Sequence, residues 1–144
     1  MIRITEDLLE EISKNVRSGY PNEVCGVLAG SRDIEIKTAK EIHSITNLES
    51  AKNRFSMDSK EFKKIDEEVK TRGLAVIGIY HSHPDAPASP SETDRESAWP
   101  VYSYVIFSVI KGKGVTCKSW ELNESTKSFE LEELDIIDGE IGEA

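Results

Sequence analysis

The sequence predicts an α/β protein of the α+β type, with one domain in which a mixed β-sheet is flanked by helices. A chain of 144 residues is the length of one domain with its own core. Two segments have the apolar period of about 3.6 residues that is typical of amphipathic helices. Other segments have the alternating or continuous apolar residues of strands. No linker or repeat divides the chain, so we expect residues 1–144 to form a single domain.

The first predicted elements are a helix and two strands. Thr5 is the expected N-cap of the helix, and Gly19 is its expected end. The buried face of this helix contains apolar residues at helical spacing, namely Leu8, Leu9, Ile12 and Val16. Residues 24–30 and 33–42 are predicted strands, and they are joined by a tight turn at residues 31–32.

A second helix and a buried strand follow a polar loop at residues 43–57. Asp58 is the expected cap of this helix, and Gly73 is its expected end. The buried stripe of the helix is formed by apolar residues, namely Phe62, Ile65 and Val69. Residues 74–83 are almost continuously apolar, which predicts a central strand that is covered on both faces.

The remaining part of the chain is predicted to contain a short helix and three strands. The helix is expected from Pro90 to Ala98, with Ser89 as its cap and Glu92 three residues after that cap. The strands are expected at residues 102–110, 114–122 and 127–134. KGKG and NEST turns separate them. We expect the short tail at residues 135–144 to be disordered.

The composition excludes several partners and locations. The 18 basic and 27 acidic residues give a net charge of -9, and no cluster of Lys and Arg is present to bind phosphate groups. We therefore expect neither a nucleic acid nor an anionic membrane as a partner. Residues 1–15 lack the basic start of a signal peptide, and no apolar run approaches the roughly 18 residues of a membrane span. Cys25 and Cys117 are too few for a disulfide scaffold, so a cytoplasmic location is expected.

His81 and His83 are the first candidates for a metal site. They lie two residues apart at the end of the predicted central strand, where side chains at i and i+2 share a face. Both imidazoles can therefore reach one ion, whereas on a helix the same spacing would point them to different sides. The alternative interpretation is that these histidines make ordinary hydrogen bonds in the core or at the surface.

A proline-rich loop leads from the histidines to the predicted short helix. Ser91 and Asp94 are three residues apart in that helix, so they share a face. The loop can bring Asp94 to the histidines as a third ligand, with Ser91 beside it, unless the carboxylate is simply solvated. Two imidazoles and one carboxylate suit Zn²⁺ and leave its fourth position for water, as in catalytic sites.

These residues carry a resemblance to a known family. HSHPDAPASPSETD, at residues 81–94, resembles the motif of the JAMM (MPN-plus) metalloproteases, in which His-x-His is followed after seven residues by Ser and after two more by Asp. PNEVCGVLAG, at residues 21–30, resembles the upstream strand of that family, which supplies a Glu that matches Glu23. Residues 54–62 and 104–122 also resemble its compact prokaryotic members. Only this resemblance distinguishes Glu23 from the other acidic residues.

The resemblance implies a cytidine-deaminase-like JAB1/MPN fold and a set of roles. His81, His83 and Asp94 would hold one Zn²⁺ per chain. Glu23 would be the general base, and Ser91 would donate a hydrogen bond to the oxyanion of the reaction. Members of the family hydrolyse isopeptide or peptide bonds after the C-terminal tail of ubiquitin or ubiquitin-like proteins.

The expected partner is a ubiquitin-like modifier or a sulfur-carrier protein with a Gly-Gly tail. By hypothesis, the extended tail lies against a sheet edge near residues 24–30 and 84–90. Two alternatives stay open. The enzyme could release cysteine from a sulfur-carrier protein, as part of cysteine or cofactor sulfur metabolism. The chain could instead be a non-catalytic MPN scaffold subunit, although such a subunit is expected to have lost at least one of the motif residues.

Several other residues near the motif have predicted positions. Ser82, between the two histidines, should point away from the metal by strand alternation. His43 is expected to be a structural or surface histidine, and Cys25 is expected to be a small buried residue. Asn47 and Trp99 are candidates for shaping a substrate groove.

Overall fold

The computed structural model describes residues 1–49 and 55–138 of the chain. The strands of this part are β1 (Ile2–Thr5), β2 (Cys25–Arg32), β3 (Lys37–Ile45), β4 (Ala75–Pro84), β5 (Ser103–Ile110), β6 (Gly114–Asn123), β7 (Ser128–Glu132) and β8 (Leu134–Ile137). The helices are α1 (Glu6–Gly19), α2 (Ser59–Thr71) and α3 (Glu92–Ser97). No helix within the described ranges is long and apolar enough to cross a membrane.

All strands belong to one mixed sheet. Their order across the sheet is β7-β6-β5-β4-β2-β3-β1-β8. The pairs β4–β5, β1–β3 and β1–β8 are parallel, and the other neighbouring pairs are antiparallel. The predicted α+β class with a mixed central sheet is therefore confirmed, and β4 lies near the middle of the sheet, as its apolar sequence predicts.

Apolar cores cover both faces of the sheet. Successive residues of β2 point to opposite faces, so Leu28 packs in one cluster and Val27 in the other. Ile12 and Val16 of α1 complete the first cluster, and Val69 of α2 belongs to the second. The helices thus bury the two faces of β4, which explains why an almost continuous apolar run is required there.

The caps of the two long helices agree with the sequence predictions. Thr5 Oγ1 accepts a hydrogen bond from the Leu8 backbone N–H at 3.2 Å, and α1 begins at the next residue. The Asp58 side chain accepts hydrogen bonds from two N–H groups in the first turn of α2. Beyond the end of α2, Gly73 has a φ of 74°, which is a conformation that favours glycine.

The reversal between β2 and β3 lies later in the chain than predicted. β2 continues to Arg32, and the chain reverses at residues 33–36, where the Asp33 carboxylate accepts two backbone hydrogen bonds at 3.0 and 2.8 Å. The predicted turn at residues 31–32 is therefore wrong. β3 also extends through Ile45 into the predicted polar loop, of which residues 50–54 lie outside the described part of the chain.

The sheet contains two short strands that the sequence did not indicate. β1 precedes α1. β8 pairs in parallel with β1, and Ile2 lies opposite Leu134. The expectation of a disordered tail is wrong for residues 135–137, because β8 includes them. The rest of that tail, at residues 139–144, lies outside the described residues.

Candidate metal centre and active site

The end of β4 carries two histidines on one face. His81 and His83 are both buried, and their Nε2 atoms are 3.1 Å apart. β4 is paired with β2 on one side and with β5 on the other, so its pleat is well defined at this point. Alternation along the strand therefore brings the two imidazoles together and turns Ser82 to the opposite face.

A short helix brings Asp94 to these histidines. The Ser91 Oγ accepts a hydrogen bond from the Asp94 N–H at 3.1 Å, and the Asp94 Oδ2 accepts one from the Ser91 N–H at 2.8 Å. This reciprocal pair is a capping box, and it starts α3 at the following residue. The predicted cap, Ser89 with Pro90 as the first helical residue, is therefore wrong. Ser91 is the cap because only Ser91 has Asp94 at the third position after it.

The Asp94 oxygen and the two imidazole nitrogens form a triangle. Oδ2 is 3.2 Å from Nε2 of His81 and 3.1 Å from Nε2 of His83. The two nitrogens are themselves 3.1 Å apart. Ligand atoms at the roughly 2.0–2.1 Å typical of Zn²⁺ lie about 3.3 Å from one another in a tetrahedral set. The three atoms therefore have nearly the separations that a shared metal ion requires.

Contacts on the far sides of the two imidazoles hold their rings with Nε2 towards the triangle. His83 Nδ1 lies 3.0 Å from the carbonyl oxygen of Pro87, so Nδ1 carries a proton and Nε2, which faces the triangle, is the nitrogen available to a metal. The His81 ring stacks on Phe55, with ring centroids 4.4 Å apart. Both contacts fix the planes of the rings. The donor set and its orientation fit a divalent metal ion.

The loop between the histidines and Asp94 is held by its own carbonyl groups. The carbonyl oxygens of residues 86–88 accept hydrogen bonds from the side chains of Ser108, His83 and Trp120, at 2.6, 3.0 and 3.0 Å respectively. Strands β5 and β6 supply two of these donors. The loop is therefore anchored to the sheet, and this anchoring helps to determine where α3 begins.

Glu23 lies beside the triangle, just before β2. Its side chain is buried, and a carboxylate oxygen lies within 4.8 Å of a ring nitrogen of each histidine. Among the described residues, its Oε1 has no hydrogen-bond partner. The Asp94 oxygen lies 3.2 and 3.1 Å from the Nε2 atoms of His81 and His83, so Asp94 and Glu23 are both candidates for a third ligand beside the histidines. The unpartnered Glu23 oxygen is suited to receive a hydrogen bond from a water or substrate in the site.

The surroundings of the two carboxyl groups, Asp94 and Glu23, shift their pKa values in opposite directions. Burial alone would raise the pKa of Asp94, but hydrogen bonds with His81 and His83 outweigh it and hold this pKa well below its usual range. Burial would lower the pKa of His83, but Asp94 raises it; at His81 burial dominates and lowers the pKa. Burial raises the pKa of Glu23 to about 7. The site thus combines an ionised carboxylate between the imidazoles with a weakly acidic carboxyl group next to them.

An apolar groove opens beside the triangle. Its cavity has a volume of about 230 Å³, and His81 and Asp94 form part of its wall. The apolar residues that line it are Phe55, Met57, Ile79, Trp99 and Tyr104. Trp99 is 65% exposed at its rim, in agreement with the expectation that this residue shapes a groove. By contrast, residues 24–30 offer no sheet edge, because β2 is paired on both sides. The hypothesis that the tail lies at a sheet edge near residues 24–30 is therefore wrong, and its placement near residues 84–90 stays a prediction.

The other residues considered from the sequence lie outside the triangle. His43 Nε2 is 2.8 Å from a carboxylate oxygen of Glu41, so this histidine has a structural partner elsewhere. Cys25 is fully buried, and burial raises its pKa to about 12, which excludes a reactive thiolate. The contact of Phe55 with His81 could not be predicted, since nothing in the spacing of a loop residue indicates such a contact.

Together, these features define a class of protein, namely an α+β sheet domain in which the two histidines of a His-x-His strand end meet an Asp from a short helix. The chain belongs to the family of prokaryotic homologs of the JAB domain, whose model matches residues 5–123. It is a compact prokaryotic JAMM protein, as the motif predicts.

Three relatives illustrate this family. A desampylase from Haloferax volcanii is 39% identical over 114 residues, which are 74% of this chain and 80% of the relative. A probable TtuB-protein conjugate cleaving protease from Thermus thermophilus is 32% identical over 109 residues, or 74% of this chain and 70% of the relative. A CysO-cysteine peptidase from Mycobacterium tuberculosis is 35% identical over 107 residues, or 73% and 71% of the two chains.

Solved structures share the fold. A protein from Desulfitobacterium hafniense matches with a TM-score of 0.86 and 31% identity, over 96% of this chain and 94% of that chain. A JAB1/MPN domain protein from Archaeoglobus fulgidus matches with a TM-score of 0.63 and 20% identity, over 94% and 98% of the two chains. The predicted JAB1/MPN fold is therefore confirmed.

We expect the purified protein to retain one divalent metal ion per chain, as measured by elemental analysis after dialysis. His81→Ala should abolish this retention, because it removes one corner of the triangle. His43→Ala is the matched control, since His43 bonds Glu41 outside the site, and it should retain the metal fully. Equal retention by the two variants would contradict the assigned site.

Proposed function

We propose that this protein is a zinc-dependent isopeptidase or peptidase that hydrolyses the bond after the C-terminal Gly-Gly tail of a ubiquitin-like or sulfur-carrier protein. The observation that carries the proposal is the buried Glu23 carboxylate beside the triangle of His81, His83 and Asp94. The names of similar proteins support it, because two of them describe cleavage of a TtuB-protein conjugate and of CysO-cysteine. A third relative is named a desampylase.

We infer that the metal is zinc, with one ion per chain held by His81, His83 and Asp94. Two imidazoles, one carboxylate and an open fourth position are the donor set of catalytic zinc sites. When bound, zinc supplies a Lewis acid that lowers the pKa of water from about 16 towards 7. Glu23 is left for proton transfer, since its carboxylate is set back from the triangle.

Glu23 is the general base and then the general acid in this proposal. Its carboxylate takes a proton from the attacking water, whose oxygen bonds to the carbonyl carbon of the scissile bond. It then gives that proton to the leaving nitrogen as the carbon–nitrogen bond breaks. The burial of Glu23 and its unpartnered Oε1 support this role, because the carboxylate is available to a group that enters the site.

Ser91 is the proposed donor to the oxyanion of the tetrahedral intermediate. Its Oγ accepts a hydrogen bond from the Asp94 N–H, and its own hydroxyl proton can be donated outward. Ser91 is exposed to solvent at the start of α3, next to the ligand Asp94. Such a donor typically contributes roughly 3 kcal/mol to the stabilisation of the transition state.

The apolar groove is the proposed route of the substrate tail. Glycines at the scissile end allow the backbone to approach the triangle closely, since no Cβ intervenes. Residues further from the scissile bond would contact the exposed Trp99 and its apolar neighbours.

Release of cysteine from a sulfur-carrier protein is a second candidate, which the similarity to the CysO-cysteine peptidase favours. It would use the same groove and the same residues, with cysteine as the leaving amine. A scaffold role has less support, because Glu23, His81, His83, Ser91 and Asp94 are all present.

We also propose that the protein works in the cytoplasm. Cys25 and Cys117 are both free, as is usual in a reducing compartment.

We expect Glu23→Gln to retain zinc and to lower turnover by more than about 100-fold, because the amide cannot carry the proton. Turnover is measured on a carrier fusion, and zinc by elemental analysis. Glu61→Gln is the control, since Glu61 bonds Thr46 outside the site. Loss of zinc from Glu23→Gln would instead make Glu23 a ligand.

Substitutions of Ser91 separate its two roles. Ser91→Ala removes the oxyanion donor and the cap, and a lost cap alone costs about 1 kcal/mol of stability. Ser91→Gly removes the donor but costs only about a few tenths of a kcal/mol as a cap. We expect both variants to lose about 100-fold in kcat and Ser91→Thr to keep most activity. If Ser91→Gly were fully active, the hydroxyl would be only a cap.

The tail specificity is tested with ubiquitin-like carriers fused to a reporter. We expect cleavage of the fusion with a Gly-Gly junction and little cleavage of the Ala-Ala fusion, because each added Cβ hinders approach to the triangle. The ratio of kcat/KM for the two substrates is the measurement. Equal cleavage of both fusions would exclude the requirement for glycine.

A further inference from the structure

The peptide group between Glu23 and Val24 is held from two sides by side chains. Its N–H, which belongs to Val24, donates a hydrogen bond to the Ser82 Oγ at 2.8 Å. Its C=O, which belongs to Glu23, accepts one from the Asn47 Nδ2 at 2.9 Å. The peptide lies just before β2, whose paired residues begin at Cys25. Side chains therefore hold the backbone where the regular ladder begins.

Ser82 holds this segment through both its backbone and its side chain. Its N–H donates to the Val24 carbonyl oxygen at 2.9 Å, in addition to the bond at its Oγ. The Ser82 side chain is fully buried on the face of β4 opposite the imidazoles. The alternation of side chains along β4 points His81 and His83 towards the triangle. It thus turns Ser82, which lies between them, towards the segment that carries Glu23.

Asn47 connects the same peptide to the loop after β3. Its Oδ1 accepts hydrogen bonds from the backbone N–H groups of Ser56 and Glu49, at 2.9 and 3.0 Å. Ser56 follows Phe55, whose ring stacks on His81. One amide side chain therefore ties the carbonyl group of Glu23 to the loop that covers a metal ligand.

We propose that Ser82 and Asn47 are positioning residues that fix the Glu23 carboxylate by clamping the peptide that follows it. The Oε1 of Glu23 has no hydrogen-bond partner among the described residues, so its direction depends on the backbone that bears it. Neither Ser82 nor Asn47 forms part of the triangle. Their effect on the reaction is therefore exerted through Glu23, and the inference rests on the proposed function of that residue.

Ser82→Ala and Asn47→Asp test the clamp. The first removes the acceptor of the Val24 N–H, and the second keeps the Oδ1 acceptor but replaces the donating amide group by an oxygen. We expect each to lower kcat by about tenfold, since a small displacement of a catalytic group is costly, and to leave KM within about twofold. Zinc content should stay at one ion per chain, because no ligand is changed.

Matched controls exclude a general loss of stability. Ser119→Ala removes an equally buried serine hydroxyl that lies away from the site. This hydroxyl donates a hydrogen bond of 2.8 Å to Glu132. Asn123→Asp changes an amide that similarly caps a turn, between β6 and β7. Both controls should retain wild-type kcat.

A double-mutant cycle shows whether the clamp acts through Glu23. In single-turnover assays, Ser82→Ala should lower the rate about tenfold in the wild type and by less than about twofold in the Glu23→Gln background. Equal losses in both backgrounds, unchanged kcat in the single variants, or loss of zinc would overturn the clamp. Asn47→Asp decides the question alone if Ser82→Ala fails to fold. Full activity of Glu23→Gln would instead refute the proposed function itself.

Discussion

The structure of this protein depends on keeping two imidazoles and one carboxylate together in a nearly dry corner of a β-sheet. The side chain of His81 is 1% exposed and that of Asp94 is 7% exposed. Burial of these groups is costly unless each satisfies the others, and the hydrogen bonds around Asp94 are strong enough to keep its pKa low despite burial. The strand, loop and helix around them serve to maintain that contact.

Asp94 contributes both to the start of α3 and to the candidate site, because its carboxylate contacts the Ser91 backbone and the two histidines. Its Oδ2 accepts the Ser91 N–H that completes the start of α3 and also lies at the corner of the triangle. A helix of six residues has little intrinsic stability, so its capping box and the anchored loop before it matter more than propensity. α3 can be short because the two residues that matter for the site, the capping Ser91 and Asp94, both lie at its first turn.

Much of the architecture could be predicted because its signals are local. Thr5 and Asp58 have the cap chemistry that helices require, and the run at residues 74–83 has the composition of a strand buried on both faces. β1 and β8 could not be predicted in this way. Each has only four residues, so neither shows a measurable period, and their pairing is between the distant ends of the described chain.

The candidate site likewise has a part that local sequence signals predict and a part that they do not. The shared face of His81 and His83 follows from strand geometry, but the role of Glu23 was indicated only by family resemblance. Ser89 and Ser91 both fit the pattern of a helix cap, and the choice between them depends on a reciprocal bond with Asp94. Strand spacing predicts that the Ser82 side chain points away from the histidines. It cannot predict the partner of the hydroxyl, which is 58 positions away in the sequence.

The hydrogen bond behind His83 has a consequence for the charge balance of the centre. Its Nδ1 is oriented by the neutral carbonyl group of Pro87, whereas many metal-binding histidines are backed by a carboxylate. The proposed ligand set of His81, His83 and Asp94 would therefore contribute a single negative charge, from Asp94. A divalent cation would leave an excess of one positive charge, which an ionised Glu23 would neutralise. The protonation of one uncoordinated side chain would thus decide whether the whole centre is cationic or neutral.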